Sequence, residues 1–83
     1  MITVKFFASL REKLAVDHLE LNVAGSAATV AQLQAELCDR GATWRDALSG
    51  PQVLTAVNQA MAKPDHLLQD GDEVAFFPPV TGG

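Results

Sequence analysis

The residue pattern predicts an α+β domain in which one main helix packs across one face of a small mixed sheet. Three observations lead there. Apolar residues alternate with period two in several short segments, as on half-buried strands. One segment with helical spacing and a helix-start signal lies between them. No repeat, linker or low-complexity stretch divides the chain. Laying the helix over the sheet is the economical way to bury all of these faces together.

The elements follow in order. Residues 2–8 alternate, with Ile2, Val4, Phe6 and Ala8 on one face and Thr3, Lys5 and Phe7 on the other. Residues 9–14 are compatible with a helical turn without requiring one. A second strand places Leu19, Leu21 and Val23 inward and His18, Glu20 and Asn22 outward. Ala24-Gly25-Ser26-Ala27-Ala28 then breaks the pattern as a loop. Thr29 reads as an N-cap, and Gln32 three residues on completes a capping box. Val30, Leu33 and Leu37 share the apolar face of that helix, and Gly41 is expected to end it in a left-handed conformation. Residues 44–48 allow a further short helix, closed by Ser49-Gly50-Pro51. Residues 53–57 form the third strand, and 59–63 a short continuation before Pro64. Asp70-Gly71 marks a turn. Glu73-Val74-Ala75-Phe76-Phe77 is the last strand, stopped by Pro78 and Pro79, neither of which can donate to a ladder.

Composition narrows the function. The chain has 83 residues, 48% of them hydrophobic and 19% charged, enough for one thin-cored domain and no separate catalytic one. Six basic against ten acidic residues give a net charge of −4, which argues against nucleic acid and anionic membranes. A partner with a basic patch fits better. No apolar run is long enough to cross a bilayer, and the opening residues show no secretory pattern. The single cysteine, Cys38, excludes an internal disulfide and a multi-cysteine metal site. A cytoplasmic location is expected.

The ordinary catalytic sets are absent. Cys38 reads as a small, partly buried hydrophobe rather than a reactive thiol. His18 and His66 have no metal-ligand spacing with it and read as surface residues. Asp70, Asp72 and Glu73 lack the remaining ligands of a calcium loop and read as a turn. Trp44 is expected to lid the core, and Arg11 and Lys13 to lie on a solvated face. No Ser/His/Asp or Cys/His set forms a self-contained catalyst.

Chemistry is expected instead at the ending, Pro78-Pro79-Val80-Thr81-Gly82-Gly83. The prolines stiffen the tail's start, and two glycines without Cβ atoms pass a narrow channel. From Pro79 to Gly83 the tail spans roughly 16–18 Å when extended. It could carry a terminal carboxylate into a partner's active site. A carboxylate must first be activated, for example as a mixed anhydride with AMP, and the chain has no phosphate-binding loop of its own. Activation therefore falls to another protein. Alternation adds a second clue. With Val4, Phe6, Val74 and Phe76 inward, Phe7 and Phe77 point out on the helix-free face, where an uncovered aromatic pair marks an interface. The competing reading covers them with the loop at residues 50–52.

Phe6-Phe7-Ala8 with Arg11-Glu12, Ala56-Val57-Asn58, and the block from Asp70 to Gly83 resemble the small subunit of molybdopterin synthase, of the ubiquitin-like sulfur-carrier family. The final block is the specific part, and the resemblance spans nearly the whole chain. It implies a ubiquitin-like β-grasp domain over residues 1–79 and an extended tail over 80–83. The first and last strands would be central parallel neighbours, setting Phe7 beside Phe77. It implies a sulfur carrier in molybdenum cofactor biosynthesis. A ubiquitin-activating-type adenylyltransferase uses ATP to adenylate Gly83, and a sulfur donor system converts the adenylate to a thiocarboxylate. The large synthase subunit then receives the tail, and sulfur passes to cyclic pyranopterin monophosphate to build the molybdopterin dithiolene. By the same resemblance Val80, Thr81 and Gly82 line the insertion channel, Phe7 and Phe77 bind partners, and two small and two large subunits form a heterotetramer. Catalytic groups would lie on the large subunit, and this chain would bind no cofactor or metal. Three alternatives stay open: a sulfur carrier for thiazole synthesis, a ubiquitin-like modifier joined to lysine, and an interaction domain with an inert tail.

Overall fold

The computed structural model describes residues 1–21, 29–49 and 53–78. Strand β1 (Ile2–Phe6) buries alternate residues, as its sequence requires, and leads directly into helix α1 (Ala8–Leu14). The strand stops two residues short of the expected Ala8. Phe7 keeps an extended backbone as the helix N-cap, and Ala8 turns the chain with φ 54°. Leu10 and Leu14 then reach the core, one helical turn apart. The tertiary contact they gain makes a helix of a segment that local preference left open. Ala15 ends α1 in the left-handed region with φ 57°.

Strand β2 (His18–Leu21) half-buries Leu19 and Leu21 and leaves His18 and Glu20 exposed. The expected positions of Asn22 and Val23, and the 24–28 loop, lie outside the described residues. Helix α2 (Val30–Cys38) starts at Thr29 with a complete capping box: the Gln32 amide donates to Thr29 Oγ1 at 3.2 Å, and the Thr29 amide to Gln32 Oε1 at 3.1 Å. Two more first-turn amides are satisfied from elsewhere, Val30 N–H by the His66 carbonyl (3.0 Å) and Ala31 N–H by that of Pro64 (2.9 Å). Gly41 does not end α2. The helix closes at Asp39, whose amide donates back into the last turn, and Gly41 (φ 158°, ψ 174°) opens helix α3 (Ala42–Leu48). The boundary expected at 50 and 51, and the loop at 50–52, lie outside the described residues.

Strands β3 (Leu54–Val57) and β4 (Ala60–Met61) form a hairpin. Its two central residues, Asn58 and Gln59, have φ of 51° and 70°, the handedness a two-residue turn needs to match strand twist. Strand β5 (Glu73–Phe77) completes a five-stranded sheet in the order β2-β1-β5-β3-β4. β1 and β5 are parallel and the other pairs antiparallel.

All three helices pack on one face. Leu10, Leu14, Val30, Leu33, Leu37, Ala47 and Leu48 meet Ile2, Val4, Phe6, Val57, Val74 and Phe76 in a single core. Phe6 stacks on Phe76 with centroids 6.1 Å apart and meets the edge of half-buried Trp44 at 5.6 Å, so Trp44 closes the core as expected. A mixed sheet with central parallel β1 and β5, and the main helix across one face, is the β-grasp arrangement.

Candidate functional site

The face opposite the helices is built by register. Val4 pairs with Val74 and Phe6 with Phe76, all pointing into the core, so the intervening residues of β1 and β5 point away from it. One position beyond the last pair, the Phe7 amide donates to the Phe76 carbonyl at 3.2 Å, which carries the alignment on to Phe7 and Phe77. Phe7 is 46% exposed, and Phe77 is half-buried. The two aromatic positions that alternation singled out therefore end adjacent central strands on the same side. Residues 50–52, the alternative cover for them, lie outside the described residues.

The register also adds residues that sequence reasoning missed. Leu54 lies opposite Phe77, Ala56 opposite Ala75, and Met61 opposite Ala56. Directly paired residues share a face. Phe77, Leu54 and Met61 thus rim a floor made by Ala56 and Ala75, and Met61 is 64% exposed. No local signal marks Met61, because its side is decided only when β4 folds back on β3.

Polar groups border this patch. Lys5, beside Ala75 in the register, pairs with Glu73 at 3.4 Å. His18 lies opposite Lys5, and the Asp17 carboxylate accepts a hydrogen bond from His18 Nδ1 at 2.9 Å, which holds that carboxyl below its usual range. At the end of β5 away from Phe77, a pocket of about 180 Å³ is lined by Asn58, Gln59 and Glu73. Its walls are held by the Asn58 side chain: Nδ2 donates to Asp72 Oδ1 (2.9 Å), and Oδ1 accepts from the Glu73 amide (3.0 Å).

The acidic stretch at 70–73 is structural. Asp70 pairs with the Met1 ammonium, Asp72 accepts from Asn58 and the Gln69 amide, and Glu73 pairs with Lys5. His18 and His66 are both exposed. Among the described residues no three His, Cys, Asp or Glu side chains group as a metal site. Cys38 packs partly against the core, and burial pushes its thiol pKa up, away from the reactive thiolate. Arg11 is exposed, and Lys13 reaches only an exposed Asp46 at 4.0 Å. No helix among the described residues is long and apolar enough to cross a membrane.

Pro78, half-buried, follows Phe77 directly, so the chain leaves the sheet at the corner of the apolar face. The tail positions Val80, Thr81, Gly82 and Gly83 lie outside the described residues.

Residues 4–83 match the ThiS family. Over 83 residues the chain is 48% identical to the molybdopterin synthase sulfur carrier subunit of Escherichia coli (strain K12), with 100% of both chains covered. Its structure is similar to that of SAMP1 from Haloferax volcanii, with a TM-score of 0.78 and 27% identity over 99% of this chain and 98% of that one. The fold is also shared with a chain in the protein–protein complex of subunits 1 and 2 of the molybdopterin-converting factor from Helicobacter pylori. There the TM-score is 0.69 and the identity 24%, over 99% of this chain and 97% of that one.

Proposed function

The chain belongs to the ThiS family, and on that premise we propose how it works as a sulfur-carrier subunit of molybdopterin synthase. Gly83 is the reacting residue. An adenylyltransferase of the ubiquitin-activating type joins its carboxylate to AMP, using ATP and releasing pyrophosphate. Sulfur delivered by a donor system attacks the acyl carbon, AMP leaves, and the chain ends in a thiocarboxylate. The tail enters the large subunit with Val80 and Thr81 against the channel walls and Gly82 at its narrowest point. Sulfur passes there to cyclic pyranopterin monophosphate, and two charged carriers in turn supply the dithiolene. In a heterotetramer of two small and two large subunits, this chain is a cosubstrate recharged each cycle in the cytoplasm. It holds no cofactor of its own, since ATP is bound by the activating partner.

The observation that carries this reading is the shared corner of β1 and β5. Their parallel pairing brings Phe7 and Phe77 to one edge, and the chain departs through Pro78 from that edge. A partner that grips the apolar face has the root of the tail beside it. The 48% identity to the Escherichia coli molybdopterin synthase sulfur carrier subunit supports the reading as a sulfur carrier.

Intact-protein mass spectrometry tests it. The carrier is incubated with ATP, the activating enzyme and a sulfur source, and fragmentation locates any change. Replacement of one oxygen by sulfur at Gly83 is the expected result. An unmodified ending, with the enzyme active on a control carrier, would refute the proposal, and a lysine-linked product would favour a protein modifier.

A further inference from the structure

We propose that the Met61 thioether is an oxidation site whose conversion to the sulfoxide detaches the carrier's apolar face from its protein partner. The inference rests on the reading of that face as the partner's seat. Met61 is the most exposed member of the patch at 64%, against 46% for Phe7. It lies on β4, an outermost strand of the five-stranded sheet, so reagents reach it from the face and from the side. Its opposite number is Ala56, too short to shield the sulfur, and the next position in β4's register, Ala60, is also small and exposed. Leu54, two residues along β3 from Ala56, is its diagonal neighbour at about 7–8 Å, close enough for the two side chains to make one surface. The sulfur is thus open to solvent in the free carrier and covered when a partner lies over Phe77, Leu54 and Met61.

The chemistry is a two-electron oxygen transfer. A peroxide gives one oxygen atom to the sulfur lone pair, its O–O bond breaks, and water leaves. The thioether becomes a sulfoxide, and the peroxide is reduced. The product puts a strong hydrogen-bond acceptor on an apolar surface, and covering it without a donor carries the full cost of desolvation. The change is reversible by methionine sulfoxide reductases, so it acts as a switch on docking rather than as damage to the fold. Among the described residues, Met61 lies outside the buried cluster and the residues packed on it, so oxidation leaves that core undisturbed.

Met1 supplies an internal reference. It is 57% exposed, but it sits at the far end of β1 from Phe7, where its ammonium pairs with Asp70 and its carbonyl accepts from the Gly71 amide. The full chain is treated with hydrogen peroxide, sulfoxides are mapped by peptide mass spectrometry, and binding to the large synthase subunit is measured by calorimetry. Oxidation at Met61 is expected to weaken binding about tenfold, as when an apolar interface contact becomes an unpaired polar one, and reductase treatment to restore it. Met61→Leu, treated identically, should bind as well as its untreated form, since any oxidation at Met1 or Cys38 remains in that control. In the preformed complex, Met61 should oxidise more slowly than Met1. Undiminished binding by the oxidised carrier, with Phe77→Ala still weakening the complex, overturns the switch and leaves the docking face intact. Full binding by both the oxidised carrier and Phe77→Ala overturns the docking face, and the switch with it.

Discussion

Removing the Asn58 side chain should loosen the junction between the β3–β4 hairpin and the start of β5. Asn58 does two separate things. Its backbone occupies the left-handed region at φ 51°, where asparagine is better tolerated than other residues with a Cβ. Its amide group bridges to Asp72 and to the Glu73 backbone at 2.9 and 3.0 Å. Glycine removes the bridges and keeps the backbone comfortable, whereas alanine removes the bridges and adds strain. Two hydrogen bonds at an exposed site contribute about 1–2 kcal/mol together, so Asn58→Gly should lower the melting midpoint by roughly 5–15 °C in a chain of this size. Asn58→Ala should cost up to about 1 kcal/mol more, the left-handed penalty less the entropy that glycine loses on folding. Calorimetric or circular-dichroism melts of the three proteins at neutral pH decide it. Variants that both melt within a degree or two of the parent would show that the bridges contribute nothing. Equal loss in both would show that the left-handed penalty at this position is no larger than the entropy glycine loses on folding.

Other substitutions test the remaining assignments. Phe77→Ala should weaken binding to the large subunit by about 1–3 kcal/mol, the range of an interface anchor. The fold should persist because Phe77 is half-buried on the face away from the core, and unchanged binding by calorimetry would count against the patch. Ala15→Gly should stabilise the domain by up to about 1 kcal/mol, because Ala15 ends α1 at φ 57° where a Cβ is strained; a lower midpoint would contradict that geometry. Cys38→Ser should leave thiocarboxylate formation intact, since the reacting carbon is assigned to Gly83. The Cys38 thiol has its pKa raised by burial, so the unfolded chain gives up that proton first as pH rises. Its contribution to stability is therefore complete below the unfolded thiol pKa and declines as pH climbs through and above it. Cys38→Ser should flatten that alkaline decline, and an identical pH profile in both proteins would remove the assignment.

Local chemistry was enough to read several elements from the chain. Period-two burial in Ile2, Val4 and Phe6, and again in Val74 and Phe76, needs only the alternation of strand side chains. The Thr29–Gln32 capping box is an interaction between residues three apart, so it is written where it acts. The outward direction of Phe7 and Phe77 follows from the same alternation, and the character of the ending from its prolines and glycines. Where the reading stayed open or missed, packing and closure of the chain decided. Residues 9–14 became helical because Leu10 and Leu14 found a core assembled largely from other segments. Gly41 opened α3 instead of ending α2, because the Asp39 amide had already closed the earlier helix on its own carbonyls.

The sequence by itself determined which residues face in or out along β1, β2 and β5, and where the main helix starts. Those properties depend on neighbours within a few bonds. Periodicity left open which strands lie side by side; the family resemblance implied β1 beside β5, and the tertiary structure pairs them in parallel. Alternation along Glu73–Phe77 is satisfied by any partner strand, whereas the pairing observed joins residues some seventy positions apart in the chain, Phe6 to Phe76. Leu54 and Met61 joined Phe77 on one surface for the same reason: a strand's two faces are fixed locally, but its neighbours are chosen by the burial of a shared core.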